Sequence, residues 1–288
     1  MNEGWELTTL GKLTSWKSGG TPPKSKNEFW GGDIPWISAS SMGGNRYRTS
    51  KLKVTQLGVE NGAKLAKRNN LLLLVRGSIL HQKIQVGIAT RDLTFNQDVK
   101  ALTVREDIDP WFILAWLRGN EWSLLNMVEN TGIGAGKLDT TLLQNLPLHL
   151  PPIEVRKQIT LFFKSIDDKI HLLRQQNATL ESMAQALFKS WFVDFDPVID
   201  NALAAGRFLP KALGVRVALR GAVLAGGAYS GLPEEVKGLF PDSFVFSDEL
   251  GKWVPEGWAI TTLENSTTEL RRGLTPKYID EGGILVLN

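Results

Sequence analysis

The sequence contains no cysteine, only three histidines, and no uninterrupted apolar run of 18 residues. Without cysteine there is no disulfide and no thiolate zinc site. The three imidazoles, His81, His149 and His171, lie far apart on different predicted elements, so no metal site is expected. Without a long apolar run no segment reads as a membrane-spanning helix, and Met1-Asn2-Glu3 does not open like a secretory signal. These absences together predict a protein of a reducing, cytoplasmic compartment. A strong overall charge is also missing: Lys and Arg total 33 against 30 Asp and Glu, a formal +3.

That small net charge hides an asymmetry. Residues 11–100 hold fifteen Lys/Arg and five Asp/Glu, a local +10, so the remainder sums to −7. A basic segment on an otherwise acidic chain predicts a polyanionic partner.

The longest periodic stretch runs from Leu150 to Asp196. Pro151 and Pro152 suit a helix start, because proline lacks only an N–H that the first turn does not use. No Pro or Gly then occurs until Pro197. Ile159, Ile166, Leu173, Leu180 and Leu187 repeat every seven residues, the spacing that keeps a stripe on one face of a supercoiled helix. The stripe predicts a coiled coil, with Gln176 and Asn177 as polar positions that set register, and self-association through this helix. Phe188 and Phe192 fall outside the stripe and are candidates for docking a second kind of partner.

Upstream, Glu3–Leu10, Asp33–Ile37, LLLLV (71–75), VGIAT (86–90) and KALTV (100–104) read as strands, the last three in one curled sheet. Asp109-Pro110 followed by WFILAWL reads as a capped, buried helix. Residues 15–35 and 131–137 read as glycine-rich loops, and 206–231, with six glycines, as a flexible insert. Glu256–Leu263 repeats Glu3–Leu10 at six of eight positions, and Gly273–Pro276 and Gly282–Ile284 echo the glycine and proline positions that follow. An offset of this size means a duplicated domain. The expected class is therefore α+β: a mixed α/β domain over 1–150, a long coiled-coil helix over 151–196, an irregular linker over 197–254, and the start of a second, truncated copy over 255–288.

Three motifs approach catalytic signatures without meeting them. Thr131–Lys137 lacks the first glycine of a phosphate-binding loop and has Leu138 where Ser or Thr is needed. Asp33-Ile-Pro-Trp36 only approximates the Asp-Pro-Pro-aromatic motif of amino-methyltransferases. Pro241-Asp242 with Glu249 and Lys252 has the wrong spacing for a nuclease core. No catalytic residue is assigned. The positive signal is the set of basic and aromatic loops. Lys17, Lys24, Lys26, Arg46, Arg48, Arg76, Lys83 and Arg91 are candidates for phosphates, Gln82, Asn96 and Gln97 for adenine edges, and Tyr47 and Trp30 for sugars.

LPPIEVRKQI (150–159), ALFKSWFVDFDPV (186–198), GLFPDSF with ELGKWVPEGW (238–258), RGSI (76–79) and ATRDLTFNQDVKAL (89–102) resemble the specificity subunits of type I restriction–modification systems. That resemblance implies two target-recognition domains, each followed by a long helix that acts as a spacer. It further implies a non-catalytic subunit that selects an adenine-containing split target. Such a subunit docks methyltransferase subunits and ATP-dependent nuclease subunits, so S-adenosylmethionine, ATP and Mg belong to the partners and no cofactor to this chain. The competing reading is a stand-alone DNA-modifying enzyme, an adenine methyltransferase or a nuclease.

Overall fold

The computed structural model describes residues 4–131, 134–227 and 231–268. The chain divides into two compact units, Met1–Gln176 and Asn177–Asn288.

The first unit is built on two larger sheets, of five and four strands, with two smaller ones beside them. Leu71–Leu74, buried on both faces, sits at the middle of the larger one, whose spatial order is Thr14–Ser18, Val99–Val104, Leu71–Leu74, Val86–Ala89 and Arg46–Tyr47. A continuous apolar run with no polar alternation is what a strand covered on both sides requires. The three predicted strands of one sheet are thus neighbours, all antiparallel. Trp30–Ile37 instead joins a second sheet, between Lys53–Val54 and Leu93–Phe95, with Lys64–Ala66 beyond. Its pairing with Val54 is interrupted by a bulge between Trp30 and Ile34, where Gly31 adopts a positive φ of 81°. Glu6–Thr9 pairs antiparallel with Pro147–Leu150, so the two ends of the domain are stitched together immediately before the long helix begins.

The helix Pro110–Gly119 forms as expected. Asp109 accepts a hydrogen bond from the Trp111 backbone N–H at 2.8 Å, and Phe112, Ile113, Leu114 and Leu117 are buried in the main core. The long helix runs from Ile153 to Phe188, 36 residues or about 54 Å. Only Thr160 and Asp167 along it are buried. Those two, with Arg156 and Phe163, form the face turned to the domain, where the Phe163 and Trp111 rings lie 6.3 Å apart. The heptad stripe faces elsewhere: Ile159, Ile166, Leu173, Leu180 and Leu187 are 36–62% exposed. Gln176 and Asn177 are exposed too.

Residues 197–254 correct the sequence reading, which expected an irregular linker with a flexible insert. Asp196–Ala204 and Gly214–Ala225 are helices, and Phe244–Ser247 pairs with Lys252–Pro255 as a hairpin. The glycines of the insert obscured a charge pattern. Asp196 and Asp200 lie one turn apart, as do Arg216 and Arg220, and they pair in order, Arg216 with Asp196 and Arg220 with Asp200. Phe195, in the left-handed region at φ 57°, ends the preceding helix and packs edge-on against Trp258 at 5.6 Å. The repeat at Glu256–Leu263 is partly visible. Thr262 caps a short helix, Leu263–Ser266, as Thr9 precedes the helix Leu10–Leu13. The later echoes, Gly273–Pro276 and Gly282–Ile284, lie outside the described residues.

Candidate nucleic-acid interface

The strand registers gather several loops at one end of the first unit. Ile37 and Phe95 are paired and end their strands together. Leu74 is paired with Val99, and Ser18 with Lys100. The segments leaving or entering this distal end are therefore Gly19–Thr21, Ser38–Ser41, Val75–Gly77 and Asn96–Asp98, with Gln82 and Lys83 leading into Val86–Ala89. Backbone bonds tie them together: Gly20 N–H to Phe95 O at 2.9 Å, Asn96 N–H to Ile37 O at 2.9 Å, and Val75 N–H to Asp98 O at 2.8 Å. Gly19 and Gly20 are required by this closeness. A Cβ on Gly19 would lie 2.0 Å from the Asn96 carbonyl oxygen, and one on Gly20 2.1 Å from that of Gly62.

The opposite end holds Lys67–Asn70, Thr90–Asp92 and Arg105–Asp109, and there the long helix starts, with Arg156 donating to the Asp107 carbonyl at 3.4 Å. The structure thus separates residues that the sequence grouped.

Lys17, Arg76, Gln82, Lys83 and Gln97 are exposed at or next to the distal end, and the loop beyond Thr21 carries exposed Lys24 and Lys26 past Trp30. Trp30 itself is half-buried, donating to the Pro23 carbonyl and stacked edge-on to Trp36 at 5.3 Å. Among the described residues Lys24, Lys26, Arg76 and Lys83 have no ion-pair partner, so their charge is available to an incoming phosphate. Gln97 accepts from the Thr21 hydroxyl at 2.7 Å, which orients its amide N–H₂ as a donor.

Three candidates are engaged inside the domain, and two lie away from the distal loops. Tyr47 is 2% exposed in the main core, and its ring lies against Gly87, so it cannot pack on a sugar. Burial pushes its phenol pKa up, although the Arg118 charge opposes this. Asn96 is 6% exposed, with its amide donating to Asp98 at 2.9 Å, and organises the loop from inside. Arg46 is turned onto the long helix. It donates to Asp167 at 2.6 Å and to Asp168, and its guanidinium lies 5.0 Å from the Trp111 ring centroid. Burial disfavours its charge, but the bonds to Asp168 and Asp167 outweigh that and leave its pKa above the ordinary value. Arg91, though exposed, lies at the opposite end beside Asp92. Arg48 lies near it, because Tyr47 pairs with Ala89 in a parallel register.

The structure also adds residues the sequence reading missed. Lys137 is the cross-strand partner of Arg76 and sits 3.9 Å from Glu129. Ser38 and Ser41 close a turn by reciprocal bonds, with Ala39 next to Gly77 and Ser40 exposed. The Ser-Ala-Ser-Ser run directly after a strand was the available signal. Among the described residues no cluster of three or more His, Asp or Glu is placed to hold a metal. What remains is a surface of free cations, amides and hydroxyls suited to phosphate neutralisation and base-edge hydrogen bonds.

Residues 2–182 match the family described as the type I restriction modification DNA specificity domain. The chain belongs to that family. It is 31% identical over 164 residues to the specificity subunit of the type I restriction enzyme EcoR124I/EcoR124II of Escherichia coli, covering 56% of this chain and 41% of that protein. It is 23% identical over 263 residues to the specificity subunit of the MjaIX enzyme of Methanocaldococcus jannaschii, covering 90% of this chain and 50% of that protein. The chain thus spans at most about half the length of these curated relatives. A solved HsdS subunit from Thermoanaerobacter tengcongensis aligns at 20% identity and TM-score 0.44, over 67% of this chain and 45% of that one. The family match includes the distal loops and most of the long helix, up to Ser182.

The sorting of cations by end of the domain is testable. Replacing Arg76, Lys83 and Lys137 together by Ala should lower the slope of log affinity against log salt for duplex DNA by about 2–3. Arg91→Ala, at the other end, should leave sequence preference unchanged. Equal loss of preference from both variants contradicts the assignment.

Proposed function

We propose that this specificity-family chain is the DNA-reading component of a type I restriction–modification complex, and that its first unit reads one half of a split target through the distal loops. The observation that carries this is the convergence, at one end of both sheets, of Arg76 and Lys83, which have no ion-pair partner among the described residues, with the exposed amides of Gln82 and Gln97; Lys24 and Lys26 ride on the loop that leaves this end at Thr21. Cations there neutralise phosphates and fix register, and the amides and the exposed Ser40 hydroxyl meet base edges. The chain is proposed to do no chemistry of its own. Methyltransferase subunits would carry S-adenosylmethionine, and nuclease subunits ATP and Mg. No helix among the described residues is long and apolar enough to cross a membrane, which agrees with a partner in the DNA-containing compartment.

The exposed stripe on the long helix is proposed to be covered by a second helix of the same kind. Burying Ile159, Ile166, Leu173, Leu180 and Leu187 is worth ~1.5–3 kcal/mol for each fully covered side chain. In an antiparallel pair Gln176 and Asn177 of the two helices come opposite each other, where their amides can satisfy one another. A second copy of this chain supplies such a helix, and two-fold symmetry would then demand an interrupted palindrome. The methyltransferase is proposed to dock beside the stripe at Phe188, which is 62% exposed. Phe192 serves that role less well, because it packs 6.2 Å from Phe240 and 6.0 Å from Trp258 within the chain.

The reading is tested by mapping adenine methylation in cells that carry the chain with its methyltransferase. A single bipartite motif is expected, which Arg76→Ala with Gln97→Ala degrades, and which Phe188→Ser abolishes without weakening DNA binding by the purified chain. Methylation unchanged by all three substitutions would sink it. Separately, light scattering at micromolar concentration should give a dimer that Ile166→Asp with Leu173→Asp converts to monomer; a monomeric unsubstituted chain refutes the pairing.

A further inference from the structure

The first unit contains a second basic site, away from the distal loops. Beside the edge strand Arg46–Tyr47 lies a cavity of about 420 Å³, walled on one side by Arg48 and Arg68 and on the other by Lys164 and Arg174 of the long helix. These four cations come from three separate segments, so the cavity is assembled by the fold and does not reflect one basic run. Among the described residues none of the four has an ion-pair partner. The one carboxylate in the wall, Asp167, is already committed: it accepts from Arg46 at 2.6 Å and from the Asn45 amide at 2.9 Å.

Four cations without ion-pair partners around one cavity repel one another, and a bound anion relieves that repulsion. We propose that this pocket is a binding site for phosphate oxyanions, contacted by Arg48, Arg68, Lys164 and Arg174. The chemistry fits phosphate for three reasons. Guanidinium groups hold two oxygens of one phosphate at once. The cavity exceeds the space of a single water-sized ion and accommodates two linked phosphates. The largest ring in the wall, Trp111, already has the Arg46 guanidinium over it and Phe163 near it, so the cavity offers charge more than stacking surface. The phosphates have two possible sources, the backbone of the DNA duplex or a free polyphosphate. If the source is the duplex, the site rests on the DNA-reading role proposed above and adds a contact that is blind to sequence. Because Lys164 and Arg174 belong to the helix, and Arg48 and Arg68 to the segments that leave the strands Arg46–Tyr47 and Lys64–Ala66, an anion here would also clamp the helix to the domain.

The chain of 288 residues is titrated calorimetrically at low salt with inorganic pyrophosphate and, separately, with a random-sequence duplex. The comparison is between the unsubstituted protein, Arg48→Ala, Arg68→Ala and Arg174→Ala. All three side chains are exposed, so folding is expected to persist, and circular dichroism confirms it. Pyrophosphate should bind the unsubstituted chain and raise its melting temperature, and each substitution should weaken it about tenfold or more. A parallel drop of roughly 1 per residue in the salt slope for the duplex assigns the site to DNA backbone. A duplex slope unchanged while pyrophosphate binding is lost assigns it to a free polyphosphate. The proposal is overturned if pyrophosphate binds the variants as well as the unsubstituted chain, or binds none of them. In that event an effect of Arg76→Ala on DNA would leave the reading role of the distal loops standing.

Discussion

A single buried carboxylate fixes how the domain holds its helix. Asp167 is 7% exposed on a helix that is otherwise open to solvent along most of its length. A carboxylate in that position is tolerated only when fully partnered, and Arg46 and the Asn45 amide supply the partners from the edge of the larger sheet. Removing one side of such a pair costs on the order of 3 kcal/mol, because the other charge is left desolvated. Arg118 supports the arrangement from beneath. It donates to the Asn45 side chain at 2.9 Å and to the Val86 carbonyl at 2.7 Å, so the edge strand that carries Arg46 is itself anchored. With the helix seated at this end, the loops at the other end of the strands stay uncovered.

That division of labour explains why a modest net charge coexists with two distinct basic surfaces. The acidic groups on the helix face are spent on seating, as with Asp167 and Asp168 on Arg46. Cations that have no such partner remain, in one place on the distal loops and in another around the cavity beside the helix. A DNA-reading subunit needs both registering charge and groups that discriminate bases, and the distal end supplies both kinds within a few adjoining loops.

Much of the fold was legible in the sequence because its signals were local. The run Leu71–Leu74, the Asp109-Pro110 cap and the heptad of Ile159 to Leu187 each follow from composition and spacing alone. The segment 206–231 was misread because its glycines outweighed a one-turn spacing of Arg216 and Arg220 whose meaning depends on Asp196 and Asp200, some twenty residues earlier. The site was only half legible. Arg46, Tyr47 and Arg48 are consecutive, yet one seats the helix, one fills the core and one lines a cavity, and nothing within the tripeptide distinguishes these fates. Asn96 and Gln97 are likewise adjacent, but a strand end turns one inward and the other out. Periodicity finds faces; it does not find which end of a sheet a loop occupies, since that depends on strand order and direction.

The central claim is that DNA meets the distal loops. Hydrogen–deuterium exchange of the full chain with and without its target duplex tests this most directly. Slowed exchange is predicted over residues 19–26, 38–41, 75–83 and 96–98, with residues 105–109 at the opposite end unchanged. Slowing confined to 105–109 and the start of the long helix, with the distal loops unaffected, would contradict the account.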